Sequence, residues 1–119
     1  MDKVNIFEKF SLINSYWDPK IVGELNGQYI KLVKFDGAFT WHSHQDEDEM
    51  FLVIKGSFEM HFRDRTITLE EGDFIVVPKG TEHCPEADKE VNVLLFEPIS
   101  TINTGNKITD KTVLDPKRI

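Results

Sequence analysis

From about residue 21 to residue 98 the chain alternates short apolar segments with turn residues. Residues 21–25 and 29–35 flank Asn26-Gly27, the dipeptide best suited to a two-residue hairpin turn. Further strands are predicted at residues 38–44, 49–54, 57–62, 66–69, 74–77 and 91–96. Eight short strands with little helix predict an all-β fold, either a closed barrel or a jelly roll.

One short helix is predicted within the N-terminal segment, residues 1–18. Asn5 can cap it, and Glu8, three residues later, completes a capping box. Apolar side chains then recur at helical spacing: Ile6, Phe10, Ile13 and Trp17. Because Pro19 disfavours helical geometry before it, the helix is expected to end by Trp17 and to pack on the outside of the β structure.

The length of 119 residues predicts a single domain, with its core at about residues 21–98. Residues 99–119, which we call the tail, are rich in Thr and Asn and lack a clear pattern. We expect the tail to be loosely attached, or to be ordered only by packing on a partner subunit.

Composition narrows the possible partners. The formal net charge is −7, from 21 acidic and 14 basic residues, so nucleic acid is not expected as a partner. The apolar runs at residues 50–54 and 74–78 are too short to span a bilayer, and the first ten residues lack the apolar block of a secretory signal. Cys84 is the only cysteine, so no internal disulfide can form. We therefore expect a cytoplasmic protein without a membrane partner.

Three histidines and one glutamate form the main chemical signal of the chain. His42 and His44 are two positions apart, so they share a face if they lie on a strand. A short acidic loop returns the chain to Glu49, and His83 follows a turn that contains Pro78 and Gly80. Three imidazoles and one carboxylate suit a borderline transition metal. Glu47 or Asp48 remains an alternative to Glu49, because the facing of side chains near a turn is uncertain.

The spacing of these residues resembles the two motifs of the cupin superfamily. The first motif, G-x5-H-x-H-x(3,4)-E-x6-G, is matched by Gly37, His42, His44, Glu49 and Gly56, with one residue fewer before His42. The second motif, G-x5-P-x-G-x2-H-x3-N, is matched by Gly72, Pro78, Gly80 and His83, while Ala87 replaces its final Asn. The resemblance is nearest to small single-domain cupins that are often labelled mannose-6-phosphate isomerase-like.

This resemblance implies a double-stranded β-helix, often dimeric, with a metal near its mouth. It makes His42, His44, Glu49 and His83 the ligands of one divalent transition metal, which could be Fe, Mn, Ni, Co or Zn. We expect a homodimer that binds a small-molecule ligand or substrate.

Other residues receive less specific predictions. Strand alternation predicts that Thr40 and Phe51 face the cavity, and Lys79 is the one basic residue placed to meet a substrate at its mouth. His61 is expected at the surface and Cys84 as a buried, unreactive thiol. Trp41 is expected in the core or at an interface. The acidic run at residues 46–49 lacks the glycine and the spaced oxygen ligands of a calcium loop.

Two functions remain open at this stage. The first is a metal-dependent enzyme that acts on a small oxygenated metabolite by isomerase- or dioxygenase-type chemistry, with Glu49 as the catalytic base. The second is a non-enzymatic binding or sensor module. The short chain and the lack of an evident second acid–base group support the second function, but on balance we slightly favour the enzyme.

Overall fold

A computed structural model describes residues 1–119 and contains one short helix and seven strands. In chain order these are α1 (Ile6–Phe10), β1 (Lys20–Leu25), β2 (Gln28–Ala38), β3 (Glu49–Lys55), β4 (Phe58–Phe62), β5 (Thr66–Leu69), β6 (Phe74–Val77) and β7 (His83–Pro98). The strands pair in the order β1-β2-β7-β3-β6, and β4 pairs with both β5 and β7. All pairings between these strands are antiparallel. The predicted all-β double-stranded β-helix is confirmed.

The 16-residue strand β7 organises the fold. Its first half pairs with β4, and its second half lies between β2 and β3. Alternate residues of a strand face the same side, and Val91, Val93 and Leu95 are accordingly buried in the core cluster inside the barrel. Residue 97, the next in this phase, therefore also faces the interior.

The helix is shorter than the sequence pattern predicts. Asn5 accepts a hydrogen bond from the backbone N of Glu8 at 3.1 Å, as expected of the cap, but α1 ends at Phe10. Phe10 and Ile13 still pack on Leu32, on the outside of β2. Trp17 departs from this face: its backbone has φ = 59°, and its ring stacks on Phe35 at 4.3 Å in the inner core. The spacing of these apolar residues therefore reflects two separate cores and not one helical face.

The separate strand predicted at residues 38–44 is absent. Strand β2 continues to Ala38, with a register irregularity between Phe35 and Gly37, and the chain then leaves the sheet. Gly37 has φ = 81°, a conformation that glycine adopts without strain, and this permits the change of direction. Residues 39–44 retain a single β-bridge, between His42 and His83.

The expectation of a loosely attached tail is wrong. The tail returns to β1, where Ile21 N donates to Lys117 O and Ile119 N donates to Ile21 O. Thr101 and Thr104 are buried, and Thr104 Oγ1 contacts both Lys107 O and Thr112 Oγ1. All of these contacts lie within one chain.

Candidate metal centre

The structure brings together the four side chains that the motifs identify. His42, His44, Glu49 and His83 each offer one ligand atom, and these atoms lie within 4.8 Å of one another. Glu49 Oε1 lies 3.2 Å from His44 Nε2 and 3.6 Å from His83 Nε2. All four residues are buried. Two ligands about 2.1 Å from one ion lie roughly 3–4 Å apart, so the set has the dimensions of a single metal site.

Two strand ends and one irregular segment position these residues. Glu49 begins β3 and His83 begins β7. The bridge joins His42 to His83 by two backbone hydrogen bonds, of 3.1 and 2.9 Å, and Gly80 N donates to His44 O at 2.7 Å. The second motif thus holds the first in place through backbone contacts.

The tail completes the support of residues 42–44, which we call the ligand segment. Ser43 N donates to Asn106 Oδ1 at 2.9 Å, and Asn106 N donates to Ser43 O at 3.0 Å. Gly105 lies so close that a β-carbon there would overlap the carbonyl group of Ser43. Sequence reasoning missed this contact because the tail has no pattern that relates it to the motifs.

Backbone carbonyl groups set the tautomers of two imidazoles. His42 Nδ1 donates to Thr40 O and His83 Nδ1 donates to Thr81 O, each at 2.8 Å. A carbonyl oxygen only accepts, so the proton lies on Nδ1 and leaves Nε2 as a free electron-pair donor. This is the arrangement of a histidine that binds a metal, whose second nitrogen donates to a backbone carbonyl.

The buried polar atoms at the centre lack partners within the protein. His44 Nδ1 and Nε2, Glu49 Oε1 and His83 Nε2 make no hydrogen bond. A buried polar group without a partner costs about 1–3 kcal/mol. A cation bound by His44 Nε2, Glu49 Oε1 and His83 Nε2 would remove most of this cost. The residues present therefore fit a transition metal.

Electrostatics keep His42 and Glu49 in the protonation states that can bind a metal ion. Burial lowers the pKa of His42 to about 4, and the neighbouring His83 acts in the same direction, so the imidazole is neutral at pH 7. Burial alone would raise the pKa of the Glu49 carboxyl, but the imidazoles of His44 and His83, 3.2 and 3.6 Å from its Oε1, outweigh burial and hold that pKa below its usual range. The centre thus combines neutral imidazole with an ionised carboxylate.

A buried ion pair next to Glu49 was missed by sequence reasoning. Lys31 Nζ lies 3.3 Å from Glu97 Oε1, and both side chains are only 1% exposed. Burial, followed by the charge of Glu49, raises the pKa of Glu97 well above its ordinary value, although Lys31 acts the other way. The sequence signal that could have revealed this pair is strand alternation. Lys31 is two positions from the buried Val33, and Glu97 is two positions from the buried Leu95, so both share the inward face of their strands.

A small apolar cavity adjoins the centre. Its volume is about 30 Å³, room for about two water molecules. Its lining comprises Trp17, Pro19, Val33, Phe35, Phe39, His42, Glu49, Phe51, Pro85, Leu95 and Asn103. The N-terminal segment, the barrel interior and the tail therefore all contribute to the wall.

Of the three predicted pocket residues, Phe51 alone lines this cavity. Thr40 is half-buried and contributes its carbonyl to His42, because the parity of a strand does not apply to the irregular residues 39–44. Lys79 is exposed in a turn, where its backbone N donates to Asp48 Oδ1 at 2.9 Å. A substrate in the cavity would meet neither side chain.

The alternative carboxylates lie outside the centre. Glu47 Oε2 accepts a hydrogen bond from Ser100 Oγ at 3.0 Å, and Asp48 is exposed. Glu49 is the carboxylate that points inward, because it shares the buried phase of β3 with Phe51 and Val53. The geometry thus favours Glu49 among the three acidic residues.

None of the other side chains singled out from the sequence belongs to the group of four candidate ligands. His61 is half-exposed on β4, with Nδ1 2.8 Å from Thr66 Oγ1 and Nε2 2.8 Å from Glu86 Oε1. Cys84 is buried, and burial together with the charge of Glu86 raises the pKa of its thiol. Trp41 is half-buried beneath the guanidinium of Arg63, at 3.8 Å.

Comparisons with known proteins agree with this architecture. The family model of the Cupin domain matches residues 31–97. The crystal structure of a cupin-2 domain containing protein from Shewanella frigidimarina is 45% identical, with a TM-score of 0.79, and the match covers 80% of this chain and 93% of that one.

Two sequence relatives match over shorter regions. The uncharacterized protein YdbB of Bacillus subtilis is 38% identical over 63 residues, 52% of this chain and 56% of the relative. An acireductone dioxygenase of Puccinia graminis is 35% identical over 78 residues, 60% of this chain and 40% of the relative. The chain spans about half the length of the curated relatives it matches.

No helix in the structure has the length and apolar character needed to cross a bilayer.

Proposed function

Because the chain belongs to the cupin domain family, we propose that it binds one divalent transition metal and uses it as an enzyme on a small oxygenated metabolite. The proposed ligands are His42, His44, Glu49 and His83. The main support is that buried ligand atoms converge in this place and that several of them lack any partner within the protein.

The ligand set determines what chemistry a bound ion would supply. Three neutral imidazoles and one carboxylate suit Fe, Mn, Ni, Co or Zn, and they leave a divalent ion with about one net positive charge. Such an ion acts as a Lewis acid toward a carbonyl or enediol oxygen, and a redox-active one also serves dioxygenase-type reactions. We favour dioxygenase-type chemistry, because the relative from Puccinia is an acireductone dioxygenase.

The cavity argues for a small and largely apolar substrate. Most of its wall is hydrophobic, and Asn103 supplies the one side-chain amide. No lysine or arginine lines it, since Lys31 is paired with Glu97 and Lys79 is exposed elsewhere. A sugar phosphate would lack a basic partner in this pocket, so we do not extend the mannose-6-phosphate isomerase-like label to this chain.

Glu49 is the proposed catalytic residue. Its pKa lies below the usual range, so it is ionised at neutral pH but is a weak base. We propose that it accepts a proton from a substrate whose C–H bond the metal ion would make more acidic. It also borders the cavity, between the imidazoles and the apolar wall. Phe51 and Phe39 would orient the substrate and exclude water from the reacting atoms.

A non-enzymatic binding or sensor module is the second candidate. The observation that favours it is the small volume of the cavity, about 30 Å³. A site this small suits a ligand of a few atoms.

Oxygen uptake by metal-reconstituted protein tests the enzyme proposal. We would screen small enediols and β-diketones, and we expect turnover that requires the metal and disappears in His83→Ala. His61→Ala is the matched control, because it removes a histidine outside the centre. Turnover in His83→Ala equal to wild type would contradict the proposal, and ligand binding without turnover would favour the sensor function.

We also propose that the protein forms a homodimer through the outer face of β6. Phe74 and Val76 are 64% and 52% exposed there, and β6 is the last strand in the sheet order. An exposed apolar pair on an edge strand is typical of an interaction surface. Sedimentation should show a dimer that Phe74→Lys converts to a monomer. A wild type that sediments as a monomer would contradict this.

The cytoplasmic location of the protein stays a prediction.

A further inference from the structure

Neither fold stability nor substrate binding explains why the chain buries an ion pair between Lys31 and Glu97. Both side chains are 1% exposed, and neither lines the cavity, so a substrate bound there would not contact them. Replacing a buried ion pair by apolar residues of similar volume is often neutral or stabilising, so the pair is not needed to hold the fold together. Its position relative to the ligands offers another role.

Strand register places Glu97 directly beside the metal centre. Met50 of β3 pairs with Phe96 of β7, so Glu49 and Glu97 are neighbours on adjacent strands. Both belong to the inward phase of their strands. Their side chains are therefore neighbours inside the barrel, and Glu97 Oε2 is buried without a hydrogen-bond partner within the protein.

Lys31 contacts one oxygen of the Glu97 carboxyl group, Oε1. Lys31 of β2 pairs with Leu95 of β7, so its side chain lies on the same inner face, two residues from Glu97. Its ammonium group lies 3.3 Å from Glu97 Oε1. Lys31, Glu97 and Glu49 therefore lie side by side on the inner faces of β2, β7 and β3, with Glu97 in the middle.

We propose that Glu97, anchored by Lys31, is a positioning residue that holds Glu49 in the orientation needed to bind the metal. This role rests on the proposed metal-binding function. Residues that orient a metal ligand in this way typically change metal affinity by about 10–100-fold when they are replaced. The effect should act on affinity and leave the number of sites per chain unchanged.

The main test is the double variant Lys31→Met/Glu97→Leu, which removes both charges and leaves neither unpaired. We expect it to unfold at a urea concentration similar to wild type. We also expect its affinity for Co²⁺, measured by competition with a chromogenic chelator, to fall by about 10–100-fold. Glu97→Gln should stay within about 3-fold of wild type, because its amide can donate to Glu49 and accept from Lys31.

Two controls separate positioning from a structural effect. Val93→Ala opens a cavity on the same inner face of β7, and it should lower stability without changing Co²⁺ affinity. In a Glu49→Gln background the double variant should cause no further loss of affinity, because Glu97 acts through Glu49.

The outcomes are distinct. Unchanged Co²⁺ affinity in the double variant would overturn the positioning role alone. An equal loss of affinity with and without Glu49→Gln would also overturn it, and so would a Glu97→Gln variant as weak as the double variant. A wild-type protein that binds no metal would overturn the proposed function, and this role with it.

Discussion

Replacing Gly105 by alanine tests whether the tail supports the metal centre. Gly105 has φ = 56°, and a β-carbon there would lie 2.9 Å from the carbonyl carbon of Ser43 and 3.1 Å from His42 Cδ2. Carbon atoms in contact are about 3.5–4.0 Å apart, so either the tail or the ligand segment must move by at least about 0.6 Å. Ser43 lies between two proposed ligands, so the movement reaches the centre in either case.

The magnitude follows from the contacts that are lost. An alanine in the left-handed region costs about 1–2 kcal/mol by itself. If the tail moves, the two hydrogen bonds between Ser43 and Asn106 are lost as well, at about 1 kcal/mol each. We therefore expect Gly105→Ala to lower the free energy of unfolding by about 3–4 kcal/mol. Because metal–ligand distances tolerate only about 0.2 Å, we also expect Zn²⁺ affinity to fall by at least about tenfold.

Gly27→Ala is the matched control. Gly27 has φ = 76° with no atom within 4 Å of the added β-carbon, so the backbone cost alone, about 1–2 kcal/mol, applies. Urea unfolding and Zn²⁺ competition with a fluorescent chelator measure the two quantities. Equal effects of Gly105→Ala and Gly27→Ala on both stability and affinity would refute the proposed contribution of the tail.

Three further predictions concern the interior. Cys84 should be alkylated at least about tenfold more slowly in the native protein than in urea, because the thiol is buried and its pKa is raised; equal rates would contradict this. In the metal-free protein, His42 has a pKa of about 4 against 6.5 when unfolded, so its contribution to stability is complete above pH 6.5 and is lost as the pH falls toward 4. The loss should reach about 3 kcal/mol and be missing in His42→Gln, as chemical denaturation at several pH values would show. Phe51→Ala should lower the free energy of unfolding by about 3–5 kcal/mol in urea titrations, because it empties space next to the cavity; a loss below 1 kcal/mol would count against tight packing there.

Much of the strand pattern follows from local rules. The alternation at residues 57–62 predicts the buried faces of Phe58 and Met60, and both are buried in β4. Asn26-Gly27 predicts the β1–β2 hairpin, whose register confirms it. These predictions succeed because each depends on neighbours within a few residues.

The failures share a different physical cause. The sequence analysis assumed that side chains alternate at residues 38–44 as they do in a strand. In the structure no strand ladder forms there. The geometry is instead determined by contacts with His83, Gly80 and Asn106. These partners are 36 to 63 residues away along the chain, from His44 to Gly80 and from Ser43 to Asn106, and nothing in the local pattern reveals them. The position of the tail depends on the same kind of non-local contact.

The four candidate ligands were identified because their motif spacing is specific. Lys31 and Glu97 were not, because a single charged residue in a strand is ordinarily placed on its solvent face. Only the three-dimensional register shows that they face each other inside the barrel. Metal binding by His42, His44, Glu49 and His83 stays a prediction, although the structure brings their ligand atoms together.

Elemental analysis by mass spectrometry tests the central claim most directly. Untagged protein purified without added metal or chelator should contain close to one equivalent of a transition metal per chain. The His42→Ala and His83→Ala variants should lose this metal, while His61→Ala should retain it. Wild-type protein without metal even after incubation with Fe²⁺, Mn²⁺, Ni²⁺, Co²⁺ or Zn²⁺, or full stoichiometry in His42→Ala and His83→Ala, would contradict the account.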